Sequence, residues 1–158
     1  MEIKRDLYLQ KLINRMHNGM IKVITGIRRS GKSYLLFNIF RNYLKTQGVA
    51  DDHIIAIELD IYENKKYRDP HTLLEYTKSR MKDDKDYYIF LDEVQLLPDF
   101  VSVLNSFLYM QNVDVYVTGS NSKFLSKDVI TEFRGRGDEV HVFPVSFRED
   151  MEVFDGDK

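Results

Sequence analysis

Two hydrophobic rhythms alternate along the chain. Residues 5 to 18 carry Leu7, Leu9, Leu12, Ile13 and Met16 at helical spacing, and the β-branched run Ile21-Lys22-Val23-Ile24-Thr25 follows as a first strand. From 33 to 45 the apolar positions are 35, 36, 39, 40, 43 and 44, again the spacing of a helix, and Gly48 marks a turn. A second strand is expected at 54–59. A polar stretch at 62–69 reads as a loop, and Pro70 suits the first turn of a helix running to about Met81.

Beyond the charged turn Asp83-Asp84-Lys85-Asp86, the run Tyr87-Tyr88-Ile89-Phe90-Leu91 is apolar on both faces, as in a central strand covered by helices on both sides. A helix over 99–110 would face Phe100, Val101, Val103, Leu104, Phe107 and Leu108 inward. A fourth strand at 113–117, a helical stretch near 121–133 and a fifth strand at 140–143 complete the pattern. Strands alternating with helices at this spacing predict an α/β fold, a parallel sheet with right-handed crossovers.

Candidate chemistry begins at the junction of the first strand and the following helix. Gly26-Ile27-Arg28-Arg29-Ser30-Gly31-Lys32-Ser33 fits G-x-x-x-x-G-K-S/T, the Walker A pattern, in the strand–loop–helix context that the pattern needs. The two glycines let the backbone approach a ligand closely, and the loop amides with the first helical turn, through Tyr34, aim N–H groups at phosphates. Lys32 would reach the β- and γ-phosphates as a point charge, and the Ser33 hydroxyl would ligate Mg²⁺. Arg28 and Arg29, at the lip of the loop, could touch phosphates, meet a partner, or be solvated.

Composition narrows the field. At 158 residues the chain is expected to form one domain with a proper core. Twenty-three Lys and Arg against 25 Asp and Glu give a net charge of −2, which offers no global argument for nucleic-acid binding. Without cysteine there can be no disulfide, thiol catalysis or Cys-based metal site, and the four histidines lack ligand spacing. No apolar run approaches the ~18 residues that span a membrane, and the start lacks a signal peptide's apolar stretch, so a cytoplasmic protein is expected.

The third strand ends in Leu91-Asp92-Glu93, two acids at the carboxyl edge of the sheet, where ligands of open α/β sheets bind. Asp92 would hold Mg²⁺, directly or through water, and Glu93 would act as general base on the attacking water, a Walker B arrangement. The fourth strand ends in Val117-Thr118-Gly119-Ser120-Asn121. Here Ser120 or Asn121, with Thr118 third, could touch the γ-phosphate or the water; either could equally be an ordinary helix N-cap. In Arg134-Gly135-Arg136-Gly137 an arginine could stabilise charge in the transition state, or serve as a basic surface turn.

Taken together these segments resemble the AAA_14 family of prokaryotic AAA-type P-loop ATPases, whose ATPase domain is usually followed by a DUF4143 domain. The similarity rests on 25–33, on Leu91-Asp92-Glu93-Val94-Gln95 with Leu97-Pro98-Asp99-Phe100, on Thr118-Gly119-Ser120-Asn121-Ser122, on Gly135-Arg136, and on Phe143-Pro144-Val145-Ser146-Phe147-Arg148-Glu149. It implies a three-layer sandwich with a five-stranded sheet of order 5-1-4-3-2, an ATPase domain over 1–149, and ATP in preference to GTP. It assigns the phosphate role to Lys32, the metal role to Ser33 and Asp92, the catalytic role to Glu93, the sensor role to Ser120 or Asn121, and the arginine-finger role to Arg136. Residues 150–158 form an acidic tail where such relatives continue into further domains.

The expected function is Mg²⁺-dependent ATP hydrolysis, with a neighbouring copy as a possible source of the arginine and DNA or a protein as partner of a C-terminal region. The alternative is a nucleotide-gated binding module with negligible turnover. A small-molecule kinase fits less well, because it leaves the Asp92-Glu93 pair unexplained and no Arg-rich lid is evident.

Overall fold

The computed structural model describes residues 2–27, 29–120, 133 and 135–143. Helix α1 (Glu2–Asn14) leads into strand β1 (Ile21–Thr25). After the glycine loop the chain is helical without a break through α2 (Lys32–Tyr34), a π-helical stretch (Leu35–Phe40) and α3 (Arg41–Thr46). Strand β2 (Ile54–Glu58), helix α4 (Pro70–Arg80), strand β3 (Tyr87–Asp92), helix α5 (Phe100–Leu108), strand β4 (Val113–Gly119) and strand β5 (Gly137–His141) follow. Helix α4 begins where Pro70 predicts, with the Asp69 carboxylate capping it through the Thr72 amide at 2.9 Å.

The five strands form one sheet in the order β2-β3-β4-β1-β5, and every pairing is parallel. This is the expected 5-1-4-3-2 order read from the other edge. Alternate residues feed two cores. Ile21, Val23, Ile57, Ile89, Leu91, Val115 and Val117 pack with Leu73 of α4 and with Phe100, Leu104 and Phe107 of α5. On the opposite face, Ile24, Tyr88, Phe90 and Tyr116 pack with Tyr8 and Leu12 of α1 and with Leu35, Leu36, Phe40 and Leu44 beyond the glycine loop. Each such fully buried aliphatic or aromatic side chain contributes about 1.5–3 kcal/mol. Phe40 fixes the helix after the loop by resting on Tyr116 and Phe90, with ring centroids 4.7 and 5.8 Å apart.

One ion pair lies inside this second core. Lys22, 0% exposed, pairs with buried Asp114 of β4, while Asn18 Oδ1 takes a further bond from its ammonium at 3.3 Å and Tyr116 donates to Asp114 at 2.6 Å. Burial pulls the Lys22 ammonium below its usual pKa, and Asp114 opposes the shift.

Three elements differ from expectation. The first helix spans 2–14 and not 5–18, because the chain turns after Asn14 through 3-10-like bonds from Arg15 to Leu12 and from Met16 to Ile13. Residues 62–68 form a 3-10 helix in place of a loop. Strand β5 starts at Gly137, three residues before the apolar run, because an edge strand needs only its backbone to pair and points just Val140 into the core. The helical stretch expected near 121–133, the segment 144–149 and the tail 150–158 lie outside the described residues, apart from Phe133, which is buried against the α5 face. Among the described residues no helix is long and apolar enough to cross a membrane.

Candidate functional site

The site forms where the carboxyl ends of β1, β3 and β4 meet the start of α2. The loop leaves β1 through Gly26, whose φ of 153° is open to glycine and strained for other residues. A Cβ at this position would lie 2.6 Å from the Val142 carbonyl and 2.8 Å from Ser30 Oγ, so the loop closes on itself without room for a side chain. Ser30 is buried beneath it, while Ile27, Arg29 and Tyr34 are exposed around the rim. Gly31, with φ 88°, turns the chain into α2. Arg28 lies outside the described residues.

Lys32 and Ser33 then point in different directions. The Lys32 ammonium is buried, 3.5 Å from the Ile27 carbonyl and 3.9 Å from Glu93 Oε2. Ser33 Oγ reaches across to Asp92 and lies 2.8 Å from both carboxylate oxygens. A hydroxyl and a carboxylate meeting in this way are hard oxygen donors of the kind Mg²⁺ accepts, so the residues present fit that ion.

Successive strand residues face opposite sides, which would separate Asp92 from Glu93. The backbone resolves this by placing Glu93 in the left-handed region, φ 54° and ψ 52°, directly after β3 ends. Thr118 secures the kink. Its hydroxyl accepts the Glu93 amide N–H at 3.0 Å and donates to Asp92 Oδ1. Both carboxylates thereby face the glycine loop. Glu93 Oε1 accepts from Ser120 Oγ at 2.6 Å and from Gln95 Nε2 at 2.8 Å.

Two more acids stand beside Asp92. Glu58 ends β2, opposite Asp92 in the parallel register, and Asp60 follows it. One oxygen of each of the three lies within 4.8 Å of the others. Burial raises the Asp92 pKa, the bonds from Thr118 and Ser33 oppose that shift, and the neighbouring acids add to it. Glu58 is raised by burial and then by Asp92 and Asp60. A cation at this edge would relieve that repulsion.

The expected residues thus separate into groups. Gly26, Lys32, Ser33, Asp92, Glu93 and Ser120 converge. Ser120 touches the acid Glu93, the group that the sequence reading placed next to the water. Arg136 does not join them. Its carbonyl accepts the Ile21 amide at 2.6 Å, which sets it at the start of β1, about 13 Å of strand from the glycine loop. Asn121 and Arg134 lie outside the described residues. Sequence reasoning missed Glu58, Asp60 and Gln95, and ranked Thr118 below Ser120. The parallel register and the Glu93 kink bring them in, and neither has a local sequence signal.

A parallel sheet of this order, a glycine loop between β1 and a helix, and acids at the tip of β3 define a P-loop NTPase of the AAA type. Residues 18–151 match the AAA_14 family model, described as an AAA domain, and the chain belongs to that family. It is 34% identical over 148 residues to an uncharacterized protein of Haemophilus influenzae, covering 93% of this chain and 37% of that protein. An uncharacterized protein of Methanocaldococcus jannaschii is 33% identical over 154 residues, covering 93% of this chain and 30% of the relative. The chain therefore spans about a third of the length of these relatives. In fold it is similar to a chain from a structure of Drosophila ORC bound to DNA, at TM-score 0.59 and 10% identity, over 90% of this chain and 93% of the other. Family and fold together make this a nucleotide-binding domain of the AAA ATPase type.

Proposed function

We propose that the domain binds ATP with Mg²⁺ and hydrolyses it, Glu93 serving as general base. The observation that supports this reading above all is the turn at Glu93, which brings its carboxylate to 3.9 Å from the Lys32 ammonium and beside the Ser33–Asp92 pair. Lys32 and the loop amides would hold the phosphates, and the helix start adds its dipole. Ser33 and Asp92 would hold Mg²⁺, which when bound neutralises phosphate charge. Glu93 would take a proton from the attacking water, and Ser120 would keep the Glu93 carboxylate oriented.

Because the Arg136 backbone meets Ile21 at the start of β1, away from the glycine loop, we assign any contribution of this arginine to the site of a neighbouring copy in a homo-oligomer. Coupling to DNA or to a partner protein would run through regions that the longer relatives carry beyond this domain. A cytoplasmic location completes the reading.

Phosphate release from Mg²⁺-ATP, measured across protein concentrations, tests it. Specific activity should rise with concentration. Glu93→Gln should retain ATP binding while losing turnover by at least about 10²-fold. Normal hydrolysis by Glu93→Gln would remove Glu93 from the role of base, and a melting temperature raised by ATP without turnover at any concentration would favour the nucleotide-gated module.

A further inference from the structure

The Glu93 carboxylate is held from one side. Oε1 takes both hydrogen bonds, from Ser120 and Gln95, while Oε2 faces Lys32. Gln95 sits two residues past Glu93, in the 3-10 segment Val94–Leu96. Its amide nitrogen must be the atom that meets the carboxylate, because a carbonyl oxygen in that place would oppose an anion. That orientation turns the Gln95 oxygen away, where it is buried with no hydrogen-bond partner among the described residues.

A buried carbonyl without a donor carries a desolvation penalty that an apolar side chain would avoid. The Gln95 side chain is therefore set against local stability, and the bond its amide makes is to Glu93. Ser120 cannot do the same work alone, since a hydroxyl rotates freely to other acceptors. The amide plane, once one end is committed, has no such freedom.

We propose that Gln95 is a positioning residue for hydrolysis, fixing Oε1 of Glu93 so that Oε2 is presented toward Lys32 and the water to be activated. The inference rests on the reading of Glu93 as general base.

Gln95→Met tests it, because methionine keeps the length and removes the amide. Turnover should fall about tenfold, the usual scale for losing a partner that orients a reacting group. Affinity for ATP should stay within about twofold, and the melting temperature should hold or rise, as loss of an unsatisfied carbonyl requires. In a Glu93→Gln background the same substitution should cost nothing further, since the two act as one unit. Wild-type turnover in Gln95→Met, faster turnover, or a fall in kcat accompanied by weaker ATP binding and a lower melting temperature would each overturn the proposal. Glu93→Gln measured alongside separates the two readings. If it abolishes turnover while Gln95→Met leaves turnover intact, only the positioning role falls. If Glu93→Gln is active, or the wild type is inactive throughout, the general-base reading falls and takes this inference with it.

Discussion

Ser33 Oγ lies 2.8 Å from each carboxylate oxygen of Asp92, so one hydroxyl straddles an acid that comes from a different strand. The proton of Ser33 can serve only one oxygen at a time, and the pair forms a mouth of oxygen ligands joining the start of α2 to the tip of β3. Asp92→Asn should therefore uncouple ATP binding from Mg²⁺. Titration calorimetry with Mg²⁺ and with EDTA should give clearly different ATP affinities for the wild type and nearly equal ones for the variant. An undiminished Mg²⁺ effect would place the ion elsewhere, with Glu58 and Asp60 next in line.

Lys32 is buried between the Ile27 carbonyl and Glu93. Lys32→Ala leaves Glu93 without its cation and, on the proposed reading, removes the charge that would meet phosphate. Charge-assisted bonds are worth about 1.5–3 kcal/mol, so the Kd for a fluorescent ATP analogue should rise roughly 10- to 100-fold. An unchanged Kd would mean that the loop amides carry binding by themselves.

Thr118 is fully buried and serves two groups at once. Thr118→Val keeps the shape, strands the Glu93 amide and deprives Asp92 of a donor. Urea unfolding should show a loss of about 1–3 kcal/mol, and turnover should drop with it as the left-handed kink loosens. Thr118→Ser should retain most of both. Equal stability of the valine and serine variants would show that the hydroxyl matters little.

His53 lies on the far edge of the sheet, 2.8 Å from an oxygen of Asp83 and 2.8 Å from Asp52. The bond to Asp83 chiefly holds its imidazolium above the usual value; partial burial opposes this and Asp52 reinforces it. A raised folded-state pKa means that this stabilisation is complete below about pH 6.5 and disappears as pH climbs through the folded value. The effect should be small, because both acids are well exposed. The NMR titration midpoint of His53 should lie above about 6.5, and His53→Asn should remove part of the fall in melting temperature between mildly acidic and mildly alkaline buffer. A midpoint at or below that value would show that the pairs with Asp83 and Asp52 do not persist in solution.

Much of this arrangement is legible in the residues. The β-branched run before Gly26 and the helical spacing after Ser33 place the glycine loop unaided, and the doubly apolar stretch at 87–91 marks β3 as central with its acids at the edge that binds ligands. The strand order came with the family resemblance and not from the spacing. What stayed hidden depends on geometry at single residues. That Thr118 bridges Asp92 and Glu93 requires the left-handed φ at Glu93, and no pattern at 91–95 announces it. That Glu58 and Asp60 join Asp92 requires the pairing of β2 with β3. The separation of Arg136 from the glycine loop follows from its lying before β5, whose start the apolar run misplaces by three residues.

Lys22 acts as a key for threading. Slipping β1 by one residue against its neighbours would turn that ammonium from Asp114 onto the face occupied by Val115, Val117, Ile89 and Leu91, and would leave Asp114 buried without its cation. The buried pair therefore favours the native alignment of β1. Because Gly26 follows Lys22 by four residues, that same alignment determines where the glycine loop emerges relative to Asp92 and Glu93. A charge at the opposite end of the strand, touching nothing in the site, thus helps to line the site up.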